Sequence, residues 1–186
     1  AGFVYQDIVW SDMVQTAADL GAKEFHAQVC GDDEQSFKFA KQLYEMGQSA
    51  GIDCVVKIPL SLDGIRIVPK IKNLGGKILL TACYDAKQFV TAAALKADYI
   101  APYFGRMMEA GLDAMVHLRA MHHMSKNVEC QTLVASLRHA QQIVEIAELG
   151  HDCFTISPNV AHDLFQNDLT AIAVESFEKS ALGDLS

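Results

Sequence analysis

A chain of 186 residues, 51% of them hydrophobic, carries enough apolar material for one well-packed domain and too little for two ordinary ones. Its formal net charge of -8 and pI near 5.2 argue against a nucleic-acid partner, which would attract a field of Lys and Arg, and leave room only for a local basic pocket for a small phosphate. Five scattered cysteines (Cys30, Cys54, Cys83, Cys130, Cys153) without a CxxC pair predict reduced thiols and a cytoplasmic location, and no apolar run approaches the roughly 18 residues that cross a bilayer.

Along the chain, AGFVYQDIVW lacks a basic segment followed by an apolar one, so no leader is expected, and the pattern before residue 24 is mainly helical. Strand-like runs then recur as EFHAQVC (24–30), IDCVVKI (52–58), GKILLTA (76–82), ADYIAP (97–102), VECQTLVAS (128–136) and DCFTIS (152–157). Several are continuously apolar, as in a parallel sheet covered outside by helices. Helices are predicted between them: Asp32 and Asp33 open the stretch that ends at Gly51, Asp85 opens AKQFVTAAALKA, and Gly150 closes HAQQIVEIAEL. Pro69 falls inside DGIRIVPKIKNL and predicts a helix that starts late or kinks. GLDAMVHLRAMHHMSK carries His117, His122 and His123 on an amphipathic helix to which no chemistry is assigned, and DLTAIAVESFEKSALGD predicts a terminal amphipathic helix.

Regular alternation of strand and helix, with no linker-like stretch, predicts one domain over residues 1–186 built from parallel βα units, as a TIM-type barrel or a doubly wound sheet. Complete (β/α)8 barrels need about 250 residues, so six units predict a barrel that lacks, or does not include, its first two strand units.

Lys57, in VVKIPLS, stands among apolar neighbours at a strand end. Burial disfavours the cation and supplies the neutral amine that Schiff-base chemistry requires. The plainer reading is a stem that packs while its ammonium reaches water. In a (β/α)8 barrel the C-terminal strand ends build the active site, and here they offer Gln28, Lys57, Thr81, Tyr103, Arg106 and Ser136. His26 and Cys30 have no third ligand at a recognisable spacing, so no metal is expected and His26 is read as a core residue.

The ordered series HAQVC, VVKIPLS, GGKILLTACY, ADYIAPYFGR and LVASLR, followed by SPNVAHDLF, resembles the strand motifs of bacterial fructose-6-phosphate aldolases and small transaldolases, from about residue 20 to the C-terminus. The resemblance implies that Lys57 forms an imine with a ketose donor. It implies that Gln28, Thr81 and Tyr103 hold a catalytic water, with Tyr103 the main acid/base. It further implies that Arg106, Ser136 and Arg138 bind the acceptor phosphate, Arg138 standing where lysine is more usual and adding a bidentate donor. Neither cofactor nor metal is implied. The expected partners are sugar phosphates and further copies of the chain, since the family's terminal helix packs on a neighbouring subunit in pentamers and decamers.

Transaldolases proper resemble one another in a glutamate where this sequence has Gln28 and a phenylalanine where it has Tyr103, which favours the aldolase branch. The family's aspartate on its first strand and asparagine after its second have no counterpart, and Asp7 is not assigned to that role. Three readings follow: an aldolase that releases the donor, a transaldolase that passes it to another sugar phosphate, and a truncated barrel that binds without catalysis.

Overall fold

A computed structural model describes residues 9–183, and all six expected strands are present. They are β1 (Glu24–Gln28), β2 (Asp53–Pro59), β3 (Lys77–Cys83), β4 (Tyr99–Pro102), β5 (Gln131–Val134) and β6 (Cys153–Phe154). Every neighbouring pair is parallel and the order is β1-β2-β3-β4-β5-β6, so each strand lies beside the next in sequence. That order excludes the doubly wound alternative, whose strand order reverses at a switch point, and gives the curled sheet of a partial (β/α)8 barrel.

Period-two alternation assigns the two faces of the sheet. Outward residues, including Cys54, Val56, Ile58, Ile78, Leu80, Ile100 and Val134, are buried together with the helices in the main core. Inward residues form a smaller cluster of Val55, Leu79, Ala101 and Ala135, with Tyr99, Tyr103 and Leu133 packed against it.

The helices begin and end where local chemistry dictates. α1 (Trp10–Asp19) sets Trp10 edge-on to Phe25 and Phe39, at centroid distances of 6.4 and 5.1 Å. α2 (Asp33–Ala50) opens on a capping box in which Asp32 and Gln35 satisfy each other's backbone N–H, and it closes at Gly51 with φ +70°. Tyr44 on α2 donates to the Lys77 carbonyl at 2.8 Å, and Gly76 makes room because a Cβ there would collide with the Tyr44 ring. α3 (Leu62–Lys72) is capped by Ser61 and does not start late: Pro69 lies in its interior, where its missing N–H cannot serve the Ile65 carbonyl.

α4 (Lys87–Ala94) follows β3, and α5 (Phe104–Glu109) follows β4 directly. α6 (Ala114–Ser125) carries the three histidines, which do different things. His117 Nδ1 accepts the Ala86 N–H at 3.1 Å at the start of α4, His122 packs edge-on to His151 at 5.5 Å, and His123 is exposed. α7 (Ala140–Ala147) and α8 (Pro158–Asp163) flank β6. α9 (Asp168–Gly183) buries none of its residues and leaves Leu169, Ile172, Phe177 and Leu182 exposed. Among the described residues no helix is long and apolar enough to cross a membrane. Asp7 lies outside the described residues.

Candidate active site

A cavity of about 380 Å³ opens at the C-terminal ends of the strands, within the range of small-molecule sites. Lys57, Thr81, Tyr103, Arg106, Ser136 and Arg138 all line it, together with His26 and the inward apolar residues Leu79, Ala101 and Leu133. Six of the seven residues expected from the sequence therefore meet in one place. Gln28 does not: it pairs in register with Lys57 but lines a neighbouring hollow between the ends of β1 and β2.

Lys57 reaches the cavity because β2 alternates, with Val56 and Ile58 facing the helices and Val55 and Lys57 facing inward. The amine is half-buried, and burial alone holds it below the usual lysine range. Among the described residues no compensating carboxylate stands beside it to hold the cation, which is the setting that favours a nucleophilic amine.

Thr81 is 1% exposed, and its hydroxyl lies 2.8 Å from the Tyr103 hydroxyl. A bulge produces the juxtaposition: the β3–β4 register shifts between Leu80 and Cys83, Ala82 adopts φ +57°, and the Tyr103 N–H then meets the Cys83 carbonyl at 2.9 Å. Tyr84 stands edge-on to Tyr103 at 5.8 Å, and the Arg106 guanidinium lies 5.2 Å from the Tyr103 ring centre. A hydrogen bond with Tyr84 pushes the already high Arg106 value further up, so this exposed residue is a fixed cation at the rim.

The far wall is built by the turn after β5. Ser136 has φ +65°, a conformation that costs a non-glycine residue about 1 kcal/mol or more. Its carbonyl accepts the Gly105 N–H at 3.0 Å, an approach that a Cβ on Gly105 would block. Its hydroxyl is buried without a hydrogen-bond partner among the described residues. A buried orphan hydroxyl that lines a cavity marks the place of an absent acceptor or donor. Arg138, two residues on, donates through Nε to Glu109 Oε1 at 2.8 Å, a contact that holds the Glu109 carboxyl below its usual range. Arg138 also lines the cavity.

The sequence pattern places His26 in the core, whereas the structure makes it part of the cavity wall. The signal was present in the alternation, since Glu24, His26 and Gln28 must share one face of β1. His26 Nε2 lies 2.9 Å from Glu24 Oε2, and Glu24 also accepts from Lys77 and, at 3.0 and 2.9 Å, from the Tyr99 hydroxyl. Among the described residues no three His, Cys, Asp or Glu side chains are grouped to hold a metal ion.

Solved structures that share this fold include flavocytochrome b2 (TM-score 0.60, 11% identity, 82% of this chain and 46% of that one). A mandelate oxidase variant gives a TM-score of 0.58 at 13% identity, over 77% of this chain and 51% of that one. At such identities these likenesses show the barrel architecture alone. Sequence relatives are closer. A "Probable transaldolase" of Nitrosopumilus maritimus is 33% identical over 132 residues, 69% of this chain and 60% of that protein. One from Methanococcus vannielii is 31% identical over 148 residues, 78% of this chain and 67% of that protein. The chain thus spans about 60% of the length of several curated relatives that it matches. Residues 3–184 match the family described as transaldolase/fructose-6-phosphate aldolase, and the chain belongs to that family.

Proposed function

We propose that this chain carries the reactive half of a class I aldolase-type site, in which Lys57 forms a Schiff base with a dihydroxyacetone-type ketose donor. The observation that supports it most is the half-buried, uncompensated Lys57 amine in a cavity with a Thr81–Tyr103 hydroxyl pair. Lys57 attacks the carbonyl, water leaves, and the resulting imine draws the electrons of the breaking carbon–carbon bond. Tyr103, polarised by Thr81, takes the proton of the hydroxyl whose carbon becomes the aldehyde. Splitting one hard cleavage into covalent steps is the gain, and no metal takes part in them. The acceptor's phosphate fits between Ser136 Oγ, Arg138 and the Arg106 cation at the rim.

The favoured reaction is cleavage or formation of fructose 6-phosphate or a similar sugar phosphate. The resemblance of Gln28 and Tyr103 to the aldolase pattern supports release of the donor, and Tyr103 lines the cavity. The second reading, transfer of the donor between sugar phosphates, is favoured by relatives named "Probable transaldolase". A cytoplasmic protein with reduced thiols suits either reaction, and all five cysteines are free in the structure. The exposed apolar side chains of α9 support packing against another copy of the chain.

The test is fructose 6-phosphate turnover with and without erythrose 4-phosphate. Release of free dihydroxyacetone that does not need the acceptor supports the aldolase reading; turnover that depends on the acceptor supports transfer. No turnover in either assay, with sugar phosphate bound, would leave the binding-only reading.

A further inference from the structure

The inward face of β1 carries a titratable pair for which the reaction above has no use. His26 lines the Lys57 cavity. It pairs in register with Val55 while Gln28 pairs with Lys57, so His26 and Lys57 are diagonal neighbours on adjacent strands. The imidazole is oriented from below by Glu24, and Glu24 is fixed in turn by Lys77 and Tyr99. A nucleophile, a nitrogen base and a carboxylate that orients the base thus share one surface, the arrangement that activates nucleophiles in other enzymes.

We propose that His26, held by Glu24, is a second acid/base group of the Lys57 cavity: it takes the proton that Lys57 sheds before attack and returns it to the hydroxyl that leaves as water when the imine closes. The proposal rests on the Schiff-base reading given above. The steps balance. Lys57 ammonium and neutral His26 become amine and imidazolium; the amine adds to the ketone to give a carbinolamine. The imidazolium then protonates its hydroxyl, so that water departs and leaves an iminium with neutral His26. The net reaction is ammonium plus ketone to iminium plus water.

The surroundings suit both stages. Glu24 is pushed up by burial, but hydrogen bonds from Lys77, His26 and Tyr99 outweigh this and keep it ionised, below its usual range. An ionised carboxylate only accepts, so His26 carries its hydrogen on Nε2 and keeps the Nδ1 lone pair free. Burial, assisted by the positive fields of Lys57 and Lys77 and opposed by Glu24, holds His26 below the usual histidine range. The resting imidazole is therefore neutral and ready to accept a proton.

Tyr103, Arg106 and Arg138 line the same cavity from β4, α5 and the turn after β5. Asp53 on β2 is 2.8 Å from Lys77 and neutralises part of its field, and the Tyr99 ring on β4 packs 5.5 Å from His26. Burial and Glu24 push the Tyr99 hydroxyl up to about 12, and burial pushes the Cys153 thiol on β6 up, so both stay protonated. In the proposed step Lys57 and His26 pass one proton between them.

The experiment measures the rate at which dihydroxyacetone and cyanoborohydride label the Lys57 peptide between pH 6 and 8.5. The reactive form, neutral amine with imidazolium, is a pH-independent fraction of the singly protonated pair. Wild type should therefore give a nearly flat profile. His26→Gln should be slower at pH 7 by about 10²-fold, the low end of acid/base contributions, and should regain rate as pH rises. Glu24→Gln should fall between them. A His26→Gln rate and profile equal to wild type would overturn the inference while leaving the Schiff base in place. If His26→Gln fails to fold, the wild-type profile decides alone: a rise of about tenfold per pH unit, expected of an unassisted amine, overturns it. Absence of any Lys57 adduct in wild type removes the Schiff-base reading and this inference together.

Discussion

The two ends of the barrel interior are made from the same strands and by the same alternation, yet they are finished in opposite ways. At the N-terminal end, Glu24, Asp53, Lys77 and Tyr99 satisfy one another, and Lys77 is pushed further up by the hydrogen bonds it donates to Asp53 and Glu24. At the C-terminal end, among the described residues, Lys57 has no carboxylate beside it and the Ser136 hydroxyl has no partner, and Ala82 and Ser136 adopt positive φ. Polar groups at the first end hold the sheet together. At the second, Thr81 with Tyr103 and Arg138 with Glu109 are paired, while Lys57 and the Ser136 hydroxyl are left without a partner of that kind and the backbone at Ala82 and Ser136 is strained, as is common where a site is built for a ligand. His26 sits between, bonded downward to Glu24 and open upward to the cavity.

Substitutions at the two ends should therefore separate activity from stability. The largest effect is expected for Lys57→Met, which should abolish turnover while raising the melting temperature by about a few degrees. The sign follows from the depressed lysine: in the unfolded chain the amine binds its proton more tightly, so its burial costs stability below the ordinary lysine value. That cost disappears as the pH rises past it. Tyr103→Phe should lower kcat by about 10²-fold with the fold intact, as judged by steady-state assay beside a thermal melt.

Ser136→Ala should raise KM for the phosphorylated acceptor by about tenfold, equivalent to one charge-assisted hydrogen bond of roughly 1.4 kcal/mol. Because the hydroxyl has no partner to lose, the same variant should melt at or slightly above the wild-type temperature. The smallest effect belongs to the paired end. Lys77→Met should lower unfolding free energy by about 1 kcal/mol, since the ammonium is partly exposed and its ion pairs are screened. A catalytic collapse in Lys77→Met, or a stability collapse in Lys57→Met, would break the division between the two ends.

The strands were legible because continuous apolar runs and the capping residues Asp32 and Gly51 are local signals. Strand order was not, because a barrel and a doubly wound sheet share the same alternation, and only the register pairs decide between them. At the site, strand ends pointed to Lys57, Thr81, Tyr103 and Ser136, but the Thr81–Tyr103 contact depends on a bulge at Ala82 that no residue type announces. Strand end and motif alike place Gln28 with them; the structure sets it in register with Lys57, bordering the neighbouring hollow. His26 was missed for the converse reason: a histidine in an apolar run reads as core until the curl of the sheet shows that its face of β1 borders the cavity.

The central claim, that the uncompensated amine of Lys57 is the reactive group, is tested most directly by borohydride reduction in the presence of fructose 6-phosphate or dihydroxyacetone, followed by peptide mass analysis, with Lys57→Met as control. The account predicts one reduced three-carbon adduct, on the Lys57 peptide and absent from the control. Folded protein that gives no adduct, or an adduct on another lysine, would contradict it.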